Sequence, residues 1–303
     1  QPLSSSVVVT AQALPVESAQ SSASLTAFTA QQISGRKIST LADLLLFAPA
    51  VSIGRTGPEG GVASVFLGGG NSSYTKVLVD GTPVNEPGNA VDFSNFTLDN
   101  IDKVEIVRGA ESALYGTDAV SGVIQVFSHR GTTRTPAVDL FTEGGRFSTA
   151  RGGARLSGLC GPFDYSAAAS YFQTDGQGPN DGFVNRTLSG NFGWSFSDTD
   201  QLRLSLRNNS SDAGIPGQTL LQPVDHDQHN ALHFFSAAAR WDFSTGARWR
   251  HEIRGAESYN RELFADPLQA SPVDFAFTAK HQYNRAGFSA QSSSLLPQHG
   301  LPS

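Results

Sequence analysis

Residues 77–126 read VLVDGTPVNEPGNAVDFSNFTLDNIDKVEIVRGAESALYGTDAVSGVIQV, and this stretch decides the fold of the first half of the chain. It holds three short apolar runs, which are VLV at 77–79, VEIVRG at 104–109 and VIQV at 123–126. Each run is rich in Val and Ile and is bounded by Gly, Asp or Asn. That pattern is typical of short, buried β-strands joined by tight turns.

Short elements on both sides of this stretch predict a small mixed α/β domain. Ser39 is the expected N-cap of a short helix over residues 41–47, and Pro49 ends that helix. The Asp80–Gly81 pair predicts a hairpin-type turn after the first strand. Further elements are expected as a helical turn at 29–33, strands at 51–53 and 63–67, and a helical turn at 112–115 that Gly116 closes.

Composition narrows the possible classes of protein. The 303 residues suffice for two domains, and the net charge of -6 gives little support to a nucleic-acid partner. The one cysteine, Cys160, excludes an internal disulfide framework and argues against a cysteine metal cluster. No window approaches about 18 uninterrupted apolar residues, so no transmembrane helix is expected; a transmembrane β-strand carries a weaker signal.

From about Thr135 the polarity alternates along segments of about ten residues. In residues 163–171 the odd positions are aromatic or Ala, whereas Asp164 and Ser166 occupy the opposite face. Such a period of two fits barrel strands with lipid outside and water inside. A soluble β-sandwich is the alternative, and it would turn the apolar face inward.

Connection lengths favour the membrane alternative. The links after the second, fourth and sixth strands are short, whereas those after the third, fifth and seventh are long, as in outer-membrane barrels. The first link is short where the pattern predicts a long one. The eight predicted strands lie near residues 137–143, 148–157, 163–174, 186–197, 200–209, 232–243, 247–260 and 274–284.

The opening stretch resembles the plug domain of TonB-dependent outer-membrane receptors, with most similarity to the cobalamin and siderophore receptor branch. The resemblance is carried by VLVDGTPVNEP at 77–87 and by LDNIDKVEIVRGAESALYGTDAVSGVIQVFSHRG at 98–131. It implies an α+β plug domain followed by antiparallel transmembrane β-barrel strands, about eight of the 22 in a full barrel. We therefore expect the N-terminal part of a longer receptor in the outer membrane of a Gram-negative cell.

The resemblance also implies a domain order. A flexible segment at 1–24 precedes the plug at 25–134, and the incomplete barrel occupies 135–303. Within the first segment, Val7, Val8, Val9, Thr10 and Ala11 are similar to the family's energy-coupling box, the TonB box. This patch would add a β-strand to an inner-membrane energy transducer. Composition alone slightly favours the alternative, a first strand of the following domain.

Two groups of plug residues are candidate functional positions. The outer plug loops are expected to contact a bulky polar ligand, and the resemblance implies cobalamin or a ferric siderophore. The candidate ligand contacts are Arg55, Asn71, Ser72, Tyr74, Asn85, Asn89 and Asp92. A polar network of Asp80, Glu105 and Arg108 is expected to hold the plug against the barrel wall, although an ordinary surface pair is the alternative for Glu105 and Arg108.

No cofactor and no resident metal are expected. Asp225, His226, Asp227 and His229 form the one dense set of potential ligands, for which a solvated loop is favoured over calcium. The predicted function is import of a scarce metal-containing nutrient, driven by the transducer, with outer-membrane lipid around the barrel. A soluble β-sandwich binding or adhesion protein is the alternative. Ser112 and His129 lack the motifs of an enzyme site, so no enzymatic activity is expected.

Overall fold

The structure is a computed structural model, and it describes residues 8–9, 16–17, 24–57, 59–88, 90–217, 225–246, 248–268 and 275–294. No helix within these ranges is long and apolar enough to cross a membrane. The described strands form four sheets, and two of these sheets carry most of the fold.

Five strands of the first domain form a mixed sheet in the order β3-β8-β9-β6-β7. The three apolar runs of the sequence lie in β6, β8 and β9, as predicted. Strand β6 runs parallel to β9, and the other pairs are antiparallel. The strands are β3 (Ser24–Thr29), β6 (Thr75–Val79), β7 (Thr82–Pro83), β8 (Ile101–Arg108) and β9 (Gly122–Ser128).

Two helices and a two-stranded sheet accompany this sheet. Helix α1 (Ala30–Arg36) begins with a capping box in which Thr29 and Gln32 bond each other's backbone N–H. Helix α2 (Leu41–Leu45) begins at the predicted residue and ends two residues earlier than predicted. Its N-cap is Thr40 rather than Ser39, because the Thr40 side chain accepts the capping hydrogen bond from the Asp43 N–H. Strands β4 (Val51–Arg55) and β5 (Ala63–Leu67) pair antiparallel.

The hydrophobic core of this domain lies between the mixed sheet, helix α2 and β5. The fully buried side chains include Leu41, Leu44 and Leu45 of the helix, together with Ile106 and Ile124 of the sheet. Asp80 and Gly81 both have positive φ and connect β6 to β7, which confirms the predicted hairpin turn. Helix α3 (Ser112–Tyr115) ends at Gly116 with φ of 87°.

The eight predicted barrel strands form one antiparallel sheet in sequence order, called here the wall. The short and long links alternate as predicted, but the four strands β13 to β16 extend further toward the long links than predicted, whereas β17 begins and ends later. The wall strands are β10 (Ala137–Gly144), β11 (Ala150–Cys160), β12 (Phe163–Thr174), β13 (Phe183–Ser197), β14 (Asp200–Gly214), β15 (His229–Thr245), β16 (Trp249–Asp266) and β17 (Phe277–Ser294).

The wall has a polar inner face and an apolar outer face, which is the reverse of a soluble β-sandwich. Its inner face packs against the first domain and carries buried polar groups such as Ser166, Asn191 and Arg207. Its outer face leaves large apolar side chains exposed, including Leu188 and Trp194 on β13. Since a soluble sandwich buries its apolar face, this arrangement supports the barrel alternative.

The N-terminal segment contributes a separate two-stranded pair. Strand β1 (Val8–Val9) pairs antiparallel with β2 (Val16–Glu17), and neither strand joins the mixed sheet. The predicted TonB box therefore contains a described strand at Val8–Val9. Val7, Thr10 and Ala11 lie outside the described residues.

Candidate functional site: a plug docked on a polar wall

The segment between β7 and β8 ends in a loop at residues 95–100, called here the docking loop. Its backbone is bound to the start of helix α2, because the Leu41 N–H donates to the Phe96 carbonyl (2.8 Å) and the Leu98 N–H donates to the Ser39 carbonyl (2.9 Å). Phe96 and Leu98 belong to the hydrophobic core. The docking loop is thus a rigid part of the first domain.

The polar atoms of the docking loop bind four successive wall strands, β11 to β14. Asp99 accepts hydrogen bonds from Arg151 Nη2 and from Ser170 Oγ, both at 2.6 Å. Asn100 Oδ1 accepts from Ser166 Oγ at 2.6 Å. The further contacts are Asn185 Nδ2 and Asn209 Nδ2 to the Asn95 carbonyl, and Thr97 Oγ1 to Thr187 Oγ1.

Arg207 of β14 lies at the centre of this interface. Its Nη2 donates to the Thr97 carbonyl (2.7 Å) and to Thr97 Oγ1 (3.0 Å). The guanidinium carbon lies 4.4 Å from the centre of the Phe96 ring, which is a cation–π geometry. Only 3% of Arg207 is exposed, so these contacts are made away from water, where polar interactions are stronger.

A second contact line runs along residues 81–86 and reaches β16. Ser258 Oγ donates to the Pro83 carbonyl (3.2 Å), and Asn260 Nδ2 donates to Glu86 Oε1 (2.8 Å). Gly81 lies so close to the Arg254 guanidinium that a Cβ at this position would overlap it. The φ of 81° therefore favours glycine at this position, and a side chain there would displace the guanidinium of this arginine.

Two acidic groups near this second line have perturbed ionisation. Burial, and after it the charges of Glu262 and Asp92, raise the pKa of the Glu86 carboxyl above its usual value. Burial also raises the pKa of the Asp92 carboxyl. The hydrogen bonds that it accepts from the Ala63 and Ser94 N–H groups, both at 2.9 Å, lower this pKa but do not offset the effect of burial. The outward part of the plug thus carries carboxyl groups whose charge is disfavoured.

The raised pKa of Glu86 predicts that acidification stabilises the docked state. Below the ordinary value of 4.5 the carboxyl is neutral in both states, and the penalty for burying its charge is absent. As pH rises from 4.5 through the raised pKa, this penalty develops fully and the docked state loses stability. We expect Glu86→Gln to flatten this part of the profile, measured as the unfolding midpoint of the wild-type and variant proteins against pH. Identical profiles for the two proteins would contradict the assignment.

A cavity of about 720 Å³ lies between the plug and strands β11 to β13. Arg55 on its plug side is paired with Asp43 at 2.5 Å. Gly60 of the adjacent loop packs so closely on Phe183 that a side chain there would overlap the ring. The cavity combines charged groups, hydroxyls and aromatic rings; its lining includes Thr40, Asp43, Arg55, Glu59, Thr149, Arg151, Phe147, Phe172, Phe183, Gln177 and Asp181.

The seven candidate ligand contacts lie at different places in the structure and do not form one site. Arg55 lines the large cavity, whereas Asp92 borders a smaller one of about 50 Å³ beside Glu86. Asn71, Ser72 and Tyr74 line neither of these cavities, and Asn71 Oδ1 accepts the Ser73 N–H as a turn residue does (3.1 Å). Asn89 lies outside the described residues.

Asn85 is buried in this structure, and its role as a ligand contact stays a prediction. It is 1% exposed, its Nδ2 donates to the Thr75 carbonyl (2.8 Å), and its Oδ1 accepts from the Val77 N–H (2.9 Å). These bonds hold the loop against strand β6, so Asn85 is a structural residue of the plug in this conformation.

The three residues of the predicted plug–wall network make the contacts described here within the plug, and the network itself stays a prediction. Asp80 accepts hydrogen bonds from the Ser128 N–H and hydroxyl, at 2.9 and 2.6 Å. Arg108 donates to Ser24, Thr26 and the Pro49 carbonyl. Glu105 is fully buried and pairs with Lys103 at 2.7 Å. The contacts with the wall are made instead by the docking loop and by residues 81–86.

His129 and Ser112 both make hydrogen bonds to other protein groups. His129 contacts Asp102 through Nδ1 (2.6 Å) and Ser157 through Nε2 (3.2 Å), which links the plug to β11. Ser157 is 4% exposed, so this array is a buried interface contact and gives a substrate no access to the hydroxyl. Ser112 Oγ donates instead to the Ala119 carbonyl (3.1 Å).

The acidic loop before β15 is arranged differently from the predicted set. Asp225, Asp227 and Asp266 offer carboxylate oxygens within 4.8 Å of one another, and neither His226 nor His229 belongs to this group. Asp225 Oδ1 accepts the Asp227 and Gln228 N–H groups at 3.0 and 2.7 Å, as in an Asx-turn. The calcium hypothesis stays a prediction.

A small mixed domain docked on the polar inner face of an antiparallel wall defines a plugged-barrel type of receptor. The comparison with family models agrees, because residues 17–123 match the TonB-dependent Receptor Plug Domain. These residues are therefore similar to the plug domain of such receptors, and the eight-stranded sheet shares the fold of the N-terminal half of the barrels in the solved receptors PirA and BauA.

Among curated proteins, the Vitamin B12 transporter BtuB of Vibrio vulnificus (strain CMCP6) is 30% identical over 200 residues, which is 63% of this chain and 33% of the relative. The ferric yersiniabactin uptake receptor FyuA from Yersinia pestis shares the fold with a TM-score of 0.73 and 15% identity, covering 91% of this chain and 46% of that one. BauA, the ferric preacinetobactin receptor from Acinetobacter baumannii, gives 0.73 and 12%, covering 92% and 44%. The chain thus spans a third to under half of these relatives.

Proposed function

We propose that this chain supplies the plug and first wall strands of an outer-membrane receptor that imports a scarce metal-containing nutrient. The observation that carries the proposal is the plug domain docked on the polar face of a wall whose apolar face points outward. An apolar outer face suits lipid, and the docked plug fills an interior that would otherwise be open to water.

The ligand is proposed to be cobalamin or a ferric siderophore. The large cavity offers three phenylalanine rings beside hydroxyl and charged groups, which suits a bulky polar molecule. Its two arginines are already paired, Arg55 with Asp43 and Arg151 with Asp99. Because paired arginines attract anions less strongly, this lining favours cobalamin over a highly anionic ferric chelate.

Binding of cyanocobalamin and of ferric chelates to the full-length receptor tests this assignment. We expect saturable cyanocobalamin binding that weakens when Phe172 is replaced by Ala. Phe196→Ala serves as the matched control, since Phe196 is 60% exposed and does not line the cavity. Tight ferric-chelate binding without cobalamin binding would contradict the preference for cobalamin, and an absence of both would contradict the receptor function.

The energy source is proposed to be an inner-membrane transducer that pulls on residues 7–11. Strand addition requires free backbone N–H groups, and the pairing of Val8–Val9 with Val16–Glu17 supports an extended conformation for this segment. Pulling along such a strand would be transmitted to the plug through the chain that leads into β3.

Proline at position 8 is expected to abolish energy-dependent uptake while leaving ligand binding unchanged. Val8→Pro removes one backbone donor and fixes φ, which disfavours strand pairing. Val8→Thr keeps the N–H and the β-branched shape, so it is the matched control and should transport normally. Uptake by the proline variant at the wild-type rate would exclude strand addition through this segment.

A further inference from the structure

A small cavity of about 50 Å³ lies where the docking loop, plug residues 84–92 and strands β14 to β17 meet. No residue lines both this cavity and the large one proposed for the nutrient. About 10–15 Å³ of such space suffices for one water molecule, so the small cavity has room for a small ion with a few waters.

Three asparagines on the lining of the small cavity carry side-chain oxygens that have no hydrogen-bond partner among the described residues. They are Asn95 of the docking loop, Asn209 of β14 and Asn260 of β16. Asn209 is 3% exposed, and its Nδ2 donates to the Asn95 carbonyl, Asn185 Oδ1 and Thr187 Oγ1. These bonds fix which end of the amide is the oxygen. A buried oxygen without a partner is costly, so this group of three indicates a bound cation or hydrogen-bond donor.

The charged side chains around the small cavity leave one excess negative charge when both carboxyls are ionised. Glu86 and Asp92 supply the carboxyls, and Arg207 supplies the one guanidinium on the lining. None of the ion pairs within the described ranges includes any of these three residues. Burial, followed by the charge of Glu262, raises the pKa of both carboxyls, as expected where no cation balances them.

We propose that the small cavity binds one monovalent alkali cation, held between the plug and the wall by the Glu86 and Asp92 carboxylates and the three asparagine oxygens. Hard cations take carboxylate and amide carbonyl oxygens as ligands. One positive charge neutralises the lining, whereas a divalent ion would leave an excess positive charge beside Arg207. The inference goes beyond the proposed function, because it does not depend on which nutrient is carried. It also concerns other residues than the acidic loop at Asp225.

The full-length receptor in detergent tests this site, with sodium as the probe and a chelator present to remove divalent ions. An ion that binds only the docked state shifts the equilibrium toward that state. We therefore expect a higher midpoint of denaturant unfolding in sodium chloride than in choline chloride at the same concentration, because choline is too large for the cavity. Sodium-23 NMR relaxation should show bound sodium directly.

Two variants remove parts of the site, and a third is the matched control. Asn95→Ala removes one unpartnered oxygen but keeps the backbone carbonyl that Asn185 and Asn209 bind. It should weaken sodium binding by about tenfold, the loss of one contact between a charge and a dipole. Glu86→Gln removes a ligand charge and should abolish the difference between the two salts. Glu257→Gln removes an exposed carboxylate of β16 that does not line the cavity, and should behave as the wild type does.

Equal midpoints of the wild type in sodium and choline chloride would overturn the proposal and would assign the small cavity to water alone. A sodium effect that persists unchanged in both Asn95→Ala and Glu86→Gln, or that is lost equally in Glu257→Gln, would place the ion elsewhere and contradict it. A midpoint that responds to calcium but not to sodium would contradict the monovalent assignment. None of these outcomes depends on nutrient binding, so a failure of the import function would be separate.

Discussion

Replacing Asp99 with alanine is expected to loosen the plug from the wall by about 3 kcal/mol. The carboxylate accepts 2.6 Å hydrogen bonds from Arg151 and Ser170, and the Asp99 and Arg151 side chains are only 9% and 13% exposed. Without Asp99, the arginine keeps Glu143 at 3.2 Å, a residue that is 54% exposed, and the Phe141 ring, whose centre lies 4.6 Å from its guanidinium carbon. A partly buried guanidinium then lacks its nearer partner, which is costly in this environment.

The population of undocked plug measures this loss. A reporter cysteine at Ser189, on the inner face of the wall, replaces a hydroxyl that makes no hydrogen bond, and Cys160→Ser removes the native thiol. We expect modification by a water-soluble thiol reagent to accelerate by about 100-fold in Asp99→Ala, since each 1.4 kcal/mol is tenfold.

The matched control for this variant is Asp139→Ala. It breaks an exposed pair with Arg155 on the same wall, and exposed pairs contribute only about 0–1 kcal/mol. We expect little change in reporter modification for this control. Equal modification rates in Asp99→Ala and Asp139→Ala would show that the docking loop does not hold the plug.

Replacing Asp164 with alanine is expected to destabilise the wall itself by about 3–5 kcal/mol. Asp164 receives two bonds from Arg203, at 2.9 and 2.8 Å, and both side chains are less than 10% exposed. Gly193 lies between them on β13 and leaves no room for a side chain, so the pair closes directly across this strand. Removing the carboxylate leaves a buried cation without its partner.

The double variant Asp164→Ala/Arg203→Met provides the internal control, because it also removes the buried guanidinium charge that the single variant leaves unpaired. We expect it to recover most of the lost stability, since apolar replacement of a buried ion pair is often neutral or stabilising. The midpoint of denaturant unfolding of the receptor in detergent micelles measures both variants. A single variant as stable as the wild type, or a double variant no better than the single one, would contradict this account.

The sequence predicts the strands well because the signal for each strand, alternating polarity, lies within the strand itself. Alternation in residues 163–171 depends only on neighbouring positions, and the structure confirms all eight wall strands. The strand ends toward the long links were underestimated, as at β15, which begins at His229 rather than near 232. In that region polar residues such as Asn230, which donates to Glu262 of the neighbouring strand, are buried, so the local pattern resembles a loop.

The docking loop escaped prediction because its partners are distant along the chain. Asp99 and Arg151 are separated by 52 residues, and Thr97 and Arg207 by 110. In the sequence, the polar residues 95–100 resemble an ordinary linker between two strands. The family resemblance marked Glu105 and Arg108 as positions of interest but carries no information on their partners, which lie inside the plug. The sequence signal for this contact is a polar linker in the plug together with Arg and Asn at inward-facing positions of the wall strands.

The most direct test of the central claim is the accessibility of single spin labels along β13, from Thr187 to Trp194, in a Cys160→Ser protein reconstituted in lipid. The account predicts that labels at Leu188, Phe192 and Trp194 meet oxygen dissolved in the bilayer, whereas labels at Thr187, Ser189 and Asn191 are shielded by the plug. An alternation with a period of two and this phase would support the plugged wall. Labels at the even positions that meet a water-soluble nickel chelate instead, or a profile without alternation, would contradict it.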